Sequence, residues 1–202
     1  MAHEGLWEQL VQHDGSKTAQ NAGCQYVSDA ERYVIDFLNT GYVVNLRDRE
    51  IYPVRTESPL AAAGFLEQLC ILAYLLNAKD IPLAGKLVRA ESFPGGQFFF
   101  RGVHGLPTEQ LEEAFGRRPE RLHEVSQQFD AQPQQYGDAS VELRIFPRVP
   151  ITIVIWAADE EFGARASILF DQTAADQLPL DALLTAVSLA VDALVGHGAE
   201  GD

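Results

Sequence analysis

Basic side chains are scarce: 15 Lys and Arg face 29 Asp and Glu, a formal net charge of -14 over 202 residues. The deficit deepens along the chain, from 12 acids and 9 bases in residues 1–101 to 17 acids and 6 bases in residues 102–202. Nucleic-acid binding draws on clustered Lys and Arg that release condensed counterions, so a field of this sign excludes generic DNA or RNA binding. A basic partner or a cation is easier to accommodate, and the charge also serves solubility.

Cysteine is nearly absent as well. Cys24 and Cys70 stand alone, without the spacing of a zinc or redox motif, and support no disulfide framework. Cys70, inside LEQLCILAYLL, reads as a small buried hydrophobe, and Cys24, in NAGCQYV, as an incidental thiol near a turn. No unbroken apolar run approaches the roughly 18 residues of a membrane helix. Even the stretch from Phe65 to Leu76 carries Glu67 and Gln68. The opening MAHEGLWEQLVQHDG has neither a basic n-region nor an apolar h-region. These absences predict a soluble, cytoplasmic protein that does not enter a membrane. Internal repeats and low-complexity segments are also missing.

What is present is the material of a packed fold, with 47% apolar and 22% charged residues. Leu6, Trp7, Leu10 and Val11 recur at helical spacing, which predicts a short amphipathic helix. YVIDFLN, TGYVVNL and REIYPV follow as a β-meander, with turns at Asn39-Thr40-Gly41 and at Arg47-Asp48-Arg49. Ser58 and Pro59 are a cap and a first helical position, opening a buried central helix that runs to about Asn77. Residues 79–106 read as loop, strand and loop, the strand spanning Gln97 to Arg101. Thr108 is expected to cap a helix carrying Leu111, Ala114 and Phe115 that Gly116 ends, and Pro119 to open another carrying Leu122, Val125 and Phe129.

AQPQQYGD reads as a surface loop. VELRIF, VPITIVIWA and ARASILFD are strands, the last two joined as a hairpin through residues 158–163. Leu180, Leu183, Leu184, Val187, Val191 and Leu194 form the stripe of a terminal helix ending near Gly196. Strands and helices in this order, with hairpins in place of regular βαβ alternation, predict an α+β fold. The expected form is one globular domain over residues 1–202, a largely antiparallel sheet with a buried central helix and flanking helices, frayed at about 1–4 and 197–202.

No catalytic constellation stands out. A G-x-S-x-G elbow is missing, Ser16, Ser92 and Ser167 lie in unrelated contexts, and His3, His13 and His197 sit near the ends. Gly95-Gly96 is not followed by Lys-Ser or Lys-Thr, so a phosphate loop is not indicated. His123 reads as a surface residue and Trp156 as a core aromatic. Two candidate sites remain. Arg101 and His104 follow a glycine-bracketed apolar segment, where Arg101 would pair with a ligand carboxylate and His104 would ligate iron or cobalt or move a proton. Asp159, Glu160, Glu161 and Asp171 form the densest carboxylate group, of a type that holds Mg²⁺ or Ca²⁺, although the spacing matches no EF-hand.

Several segments together, LLNAKDIPLAGKLV, SFPGGQFFFRG, FGRRPERL, FPRVPITIVIWAADEEF and SILFDQTA, resemble domain-of-unknown-function family 3786. The resemblance implies an uncharacterised protein of anaerobic prokaryotes, some relatives being joined to a cysteine-rich iron–sulfur segment whose cysteines this sequence lacks. It implies no catalytic residues. The leading expectation is therefore a non-enzymatic accessory domain that binds a small ligand or serves a metallocofactor protein, tetrapyrrole or iron–sulfur, in anaerobic metabolism. A directly bound tetrapyrrole, haem or a corrinoid, would use His104 as axial ligand and Phe98 and Phe100 as an apolar wall. The rivals are a divalent-metal-assisted hydrolase built on the four carboxylates and a purely structural interaction domain.

Overall fold

The computed structural model describes residues 3–54 and 62–199. Two short helices open the chain, α1 (Glu4–Gln12) and α2 (Gly15–Ala22), the second not expected from the sequence. Asp14 caps α2 by accepting from the Lys17 N–H at 2.7 Å. Four strands follow as an antiparallel meander in sequence order: β1 (Gln25–Val27), β2 (Arg32–Phe37), β3 (Thr40–Asn45) and β4 (Glu50–Pro53). The β2–β3 turn is Leu38-Asn39, one position earlier than the sequence suggests. Both residues take positive φ, 49° and 60°, as a two-residue hairpin demands, and Thr40 and Gly41 already pair with Phe37 and Asp36.

The central helix α3 spans Phe65–Asn77, so it begins later than expected. Ser58 and Pro59, the expected start, lie outside the described residues. Glu67 caps the helix instead, its carboxylate accepting from the Gly64 N–H at 2.6 Å while taking the Tyr42 hydroxyl at 3.1 Å. One side chain thus fixes the helix start and ties it to β3. Cys70 through Leu75 are buried on α3, as a helix apolar on every face requires.

Strand β5 (Leu87–Val88) and the one-turn helix α4 (Gly96–Phe99) follow. The expected strand from Gln97 to Arg101 does not form. Gly95, at φ 78°, turns the chain into a helical turn that splits the phenylalanines, leaving Phe98 exposed and Phe100 buried. Helices α5 (Thr108–Phe115) and α6 (Arg121–Ser126) come next, with Thr108 as a helical residue and not a cap. The polar stretch after α6 holds the short edge strand β6 (Gln132–Pro133), followed by β7 (Ala139–Phe146), β8 (Val149–Trp156) and β9 (Arg165–Asp171). Helices α7 (Ala174–Gln177) and α8 (Leu180–Ala199) complete the chain.

The second sheet has the order β5-β9-β8-β7-β6, antiparallel throughout. Its central strand β8 is buried from Val149 to Ile155, which is why its sequence is a near-continuous apolar run. Pro150, which has no N–H to give a ladder, has no partner on β9, whose pairing with β8 begins at Ile151 with Phe170. Helices α5, α6 and α8 pack on this sheet, and α3 packs on α8. The fold is α+β, as the sequence predicts.

Leu180–His197 has the length and hydropathy of a membrane-crossing helix, although no unbroken apolar run marks it in the sequence. Leu183, Val187, Val191 and Leu194 are buried on it. The stripe meets α3, α5 and α6, the packing of a core helix.

Candidate binding surface

Helix α4 and the segment that joins it to α5 project the most exposed large apolar side chains among the described residues. Phe98 is 73% and Val103 95% exposed. Arg101 lies over the Phe98 ring, its Cζ 6.0 Å from the centroid, at the limit of a cation–π contact. His104 stacks flat on Phe99, centroids 4.9 Å apart and planes 3° from parallel. Phe99 in turn meets Phe100 edge to face at 5.0 Å, and Phe100 is buried. A ladder of rings therefore anchors His104 to the core while Phe98, Arg101 and Val103 face outward. The expected pair of Arg101 and His104 does share one small knuckle, residues 96–105. Phe98 and Phe100, however, point to opposite sides and do not make one wall.

Beside the knuckle a cleft of about 340 Å³ runs along β9, lined also by Arg89, Glu91, Phe100, Leu106 and Thr108. Its volume is at the lower end of small-molecule pockets. The cleft exists because β5 is short: it pairs only with Phe170 and Asp171, leaving residues 165–169 of β9 without a second neighbour.

The carboxylate candidates are not brought together. Asp159 closes the β8–β9 turn, accepting from the N–H groups of Glu161 at 2.8 Å and Phe162 at 2.6 Å, and Glu160 and Glu161 are exposed. Asp171 lies at the other end of β9, about 20 Å away at the usual rise per strand residue. Its carboxylate is already committed. It accepts from the N–H of Ala84 (3.1 Å), Gly85 (2.7 Å) and Thr173 (2.9 Å) and from the Thr173 hydroxyl (2.6 Å). Burial opposes its charge, but these four donors outweigh burial and hold its pKa below the ordinary carboxylate value. Asp171 fastens residues 84–85 to the sheet, a structural task. No group of three or more His, Cys, Asp or Glu among the described residues is arranged to hold a metal ion.

Other expectations change on the structure. Trp156 is 40% exposed at the end of β8 and not a core residue. His123 is half-buried, its Nε2 3.2 Å from the Ser140 carbonyl, because α6 lies against β7. His3 is engaged, its Nε2 2.9 Å from the Phe65 carbonyl. The Cys24 and Cys70 thiols are both pushed up to about 12, chiefly by burial, with Asp36 adding to the effect at Cys24 and Glu67 and Asp181 at Cys70. A second cleft, of about 490 Å³, lies where β2 approaches β7, with Asp36, Glu142 and Arg144 on its walls. Sequence reasoning missed it because its walls come from strands about a hundred residues apart.

Residues 14–193 match the family model described as Domain of unknown function (DUF3786). The chain belongs to that family. No curated protein and no solved structure matches it. The DUF3786 span takes in both sheets, the knuckle and the β9 cleft, so the candidate surface is part of the family domain and not an appendage to it.

Proposed function

We propose that this chain is a binding domain without chemistry of its own, which docks a protein partner through the knuckle of residues 96–105. The observation that supports this reading is the exposure of Phe98 and Val103, beside Arg101 and His104, on a segment anchored from behind by Phe99 and Phe100. Apolar and aromatic side chains held out rigidly, with an arginine among them, have the composition of an interface centre. A metalloprotein of anaerobic metabolism is the partner that the family resemblance suggests. A tetrapyrrole held directly by His104 has less support, since the adjoining cleft is small and flanked by Arg89 and Glu91.

The test is photocrosslinking from position 103 in cells that express the chain. One dominant adduct that Phe98→Asp abolishes is expected. Diffuse adducts, or an adduct indifferent to Phe98→Asp, reject the reading. Titration with haem and with cobalamin, wild type against His104→Ala, tests the cofactor form. An absorption band present only in the wild type would move the assignment from a protein partner to a bound tetrapyrrole.

A further inference from the structure

The cleft where β2 approaches β7 is built by strand alternation. On β7, Val141, Leu143 and Ile145 are fully buried on one face, which turns Glu142 and Arg144 together to the other. On β2, Asp36 lies exposed between the buried Ile35 and Phe37. Two bonds fasten the β2–β3 turn across the gap. The Leu38 N–H donates to the Ile145 carbonyl at 3.0 Å, and Asn39 Nδ2 donates to the Gln128 carbonyl at 3.1 Å. Asp36 is thereby held in one cleft with Glu142, Arg144 and Asp130. Phe146, 1% exposed, and the half-buried Phe129 supply its apolar surface. At about 490 Å³ the cleft is within the size range of small-molecule sites.

The charges on its walls face one space without pairing. Among the described residues, the side chains of Asp36, Asp130 and Glu142 make no hydrogen bond and no ion pair. Arg144 donates only to the Pro147 carbonyl, at 3.4 Å, a long and weak bond. Glu142 and Arg144 stand about 7 Å apart at the usual rise per strand residue, within reach of each other, yet they do not join. The neighbouring Arg148 leaves the balance unchanged, because Asp80 neutralises it. Three carboxylates to one guanidinium make the cleft anionic while its one cation stays available. A guanidinium recognises a carboxylate with two parallel hydrogen bonds, and an ammonium donates to carboxylates from three directions. A molecule with one carboxylate and more than one ammonium satisfies both halves of this set.

We infer that the cleft binds a small basic amino acid, its carboxylate on Arg144, its ammonium groups on Asp36, Glu142 and Asp130, and its aliphatic stem against Phe129 and Phe146. The cleft shares no residue with the knuckle of residues 96–105, so this site stands independently of the docking surface.

The probes are L-lysine, L-ornithine and L-arginine. Cadaverine, which lacks the carboxylate, norleucine, which lacks the second ammonium, and glutarate, which has no ammonium, are the comparisons. Calorimetry on the full chain gives the affinities, and NMR shifts of the amides at positions 36, 142 and 144 locate the binding. At least one basic amino acid is expected to bind and shift these amides, and the three comparison compounds to bind at least about tenfold more weakly. Arg144→Gln should lower the affinity for that amino acid at least about tenfold and leave cadaverine unchanged, whereas Glu142→Gln should weaken both. Unchanged melting temperatures of the two variants verify that the fold is intact. Amides unmoved by all three amino acids at millimolar concentration overturn the inference. So does cadaverine that binds as tightly as the amino acid, or an affinity indifferent to Arg144→Gln.

Discussion

The hydroxyl of Tyr74 donates to the Ala22 carbonyl at 2.9 Å and accepts from the backbone N–H of Arg148 at 3.2 Å, joining the end of α2 to the β7–β8 turn through the middle of α3. The Tyr74 ring stacks on Phe146, centroids 4.3 Å apart. Arg148 completes the junction. Its guanidinium donates to the carbonyls of Asn21 at 2.7 Å and Gln20 at 3.1 Å and pairs with Asp80. It thus satisfies the carbonyls that the end of α2 leaves open, where a cation is also favoured by the helix dipole. Arg148→Ala is expected to destabilise the fold by about 2–4 kcal/mol, since several charge-assisted bonds go at once. Arg148→Lys should recover less than half of that, because an ammonium cannot reproduce the fork. Urea denaturation midpoints of the three proteins measure both.

Asp171 carries a pH dependence of definite sign. Its pKa is depressed in the folded state despite the opposing effect of burial, because Thr173, Ala84 and Gly85 donate to it. Its stabilising contribution is therefore full above the ordinary carboxyl pKa and is lost as pH falls through the lower, folded value. Asp171→Asn keeps the shape but puts an amide donor where donors already point. It should cost about 2–3 kcal/mol at pH 7 and flatten the acid limb of the stability curve. Unfolding free energies of both proteins at pH 7 and pH 3 decide this; equal acid sensitivity in the two would remove Asp171 as its source.

The strands of the second sheet were legible because burial writes itself into the sequence: VPITIVIW is apolar at almost every position because β8 is covered on both faces. The helical stripe from Leu183 to Leu194 was legible for the same reason. SFPGGQFFFRG was not. Three consecutive phenylalanines favour a strand on propensity, but Gly95 at φ 78° and the close approach of Gly96 to Ala90 impose a helical turn that no local pattern announces. The carboxylate group failed in another way. Asp159 and Asp171 look near along the chain, yet a strand holds its ends apart, and Asp171 is spent on donors from residues 84–85. Arg148 gave no signal beyond an arginine in a turn, because its partners sit about seventy and about a hundred and thirty residues away.

Both cysteines should be unreactive in the folded protein. Burial raises each thiol to about 12, so the thiolate fraction near pH 8 is negligible. Disulfide-exchange reagents at pH 8 should titrate almost no thiol in native protein and two per chain in denaturant. Rapid reaction of one native thiol would locate an opening around Cys24, the less buried of the two.

Gly96 sets the aim of the knuckle. A Cβ at this position would lie 2.1 Å from the Ala90 carbonyl oxygen and 3.3 Å from Phe93 Cβ, and the nearest contact is backbone that cannot swing aside. Gly96→Ala must therefore push α4 away from the 3-10 turn at Ala90–Ser92, at a cost of about 1–3 kcal/mol. The strain falls on the element that carries Phe98 and, through Phe99, on the ring that holds His104. Gln97→Ala, one position on and exposed, lacks the clash and serves as the control. Gly96→Ala is expected to lower the melting temperature and to weaken partner capture from position 103, with Gln97→Ala changing neither. A Gly96→Ala protein that melts and docks like the wild type would show that the backbone here yields freely, and the rigid presentation on which the docking surface depends would be lost with it.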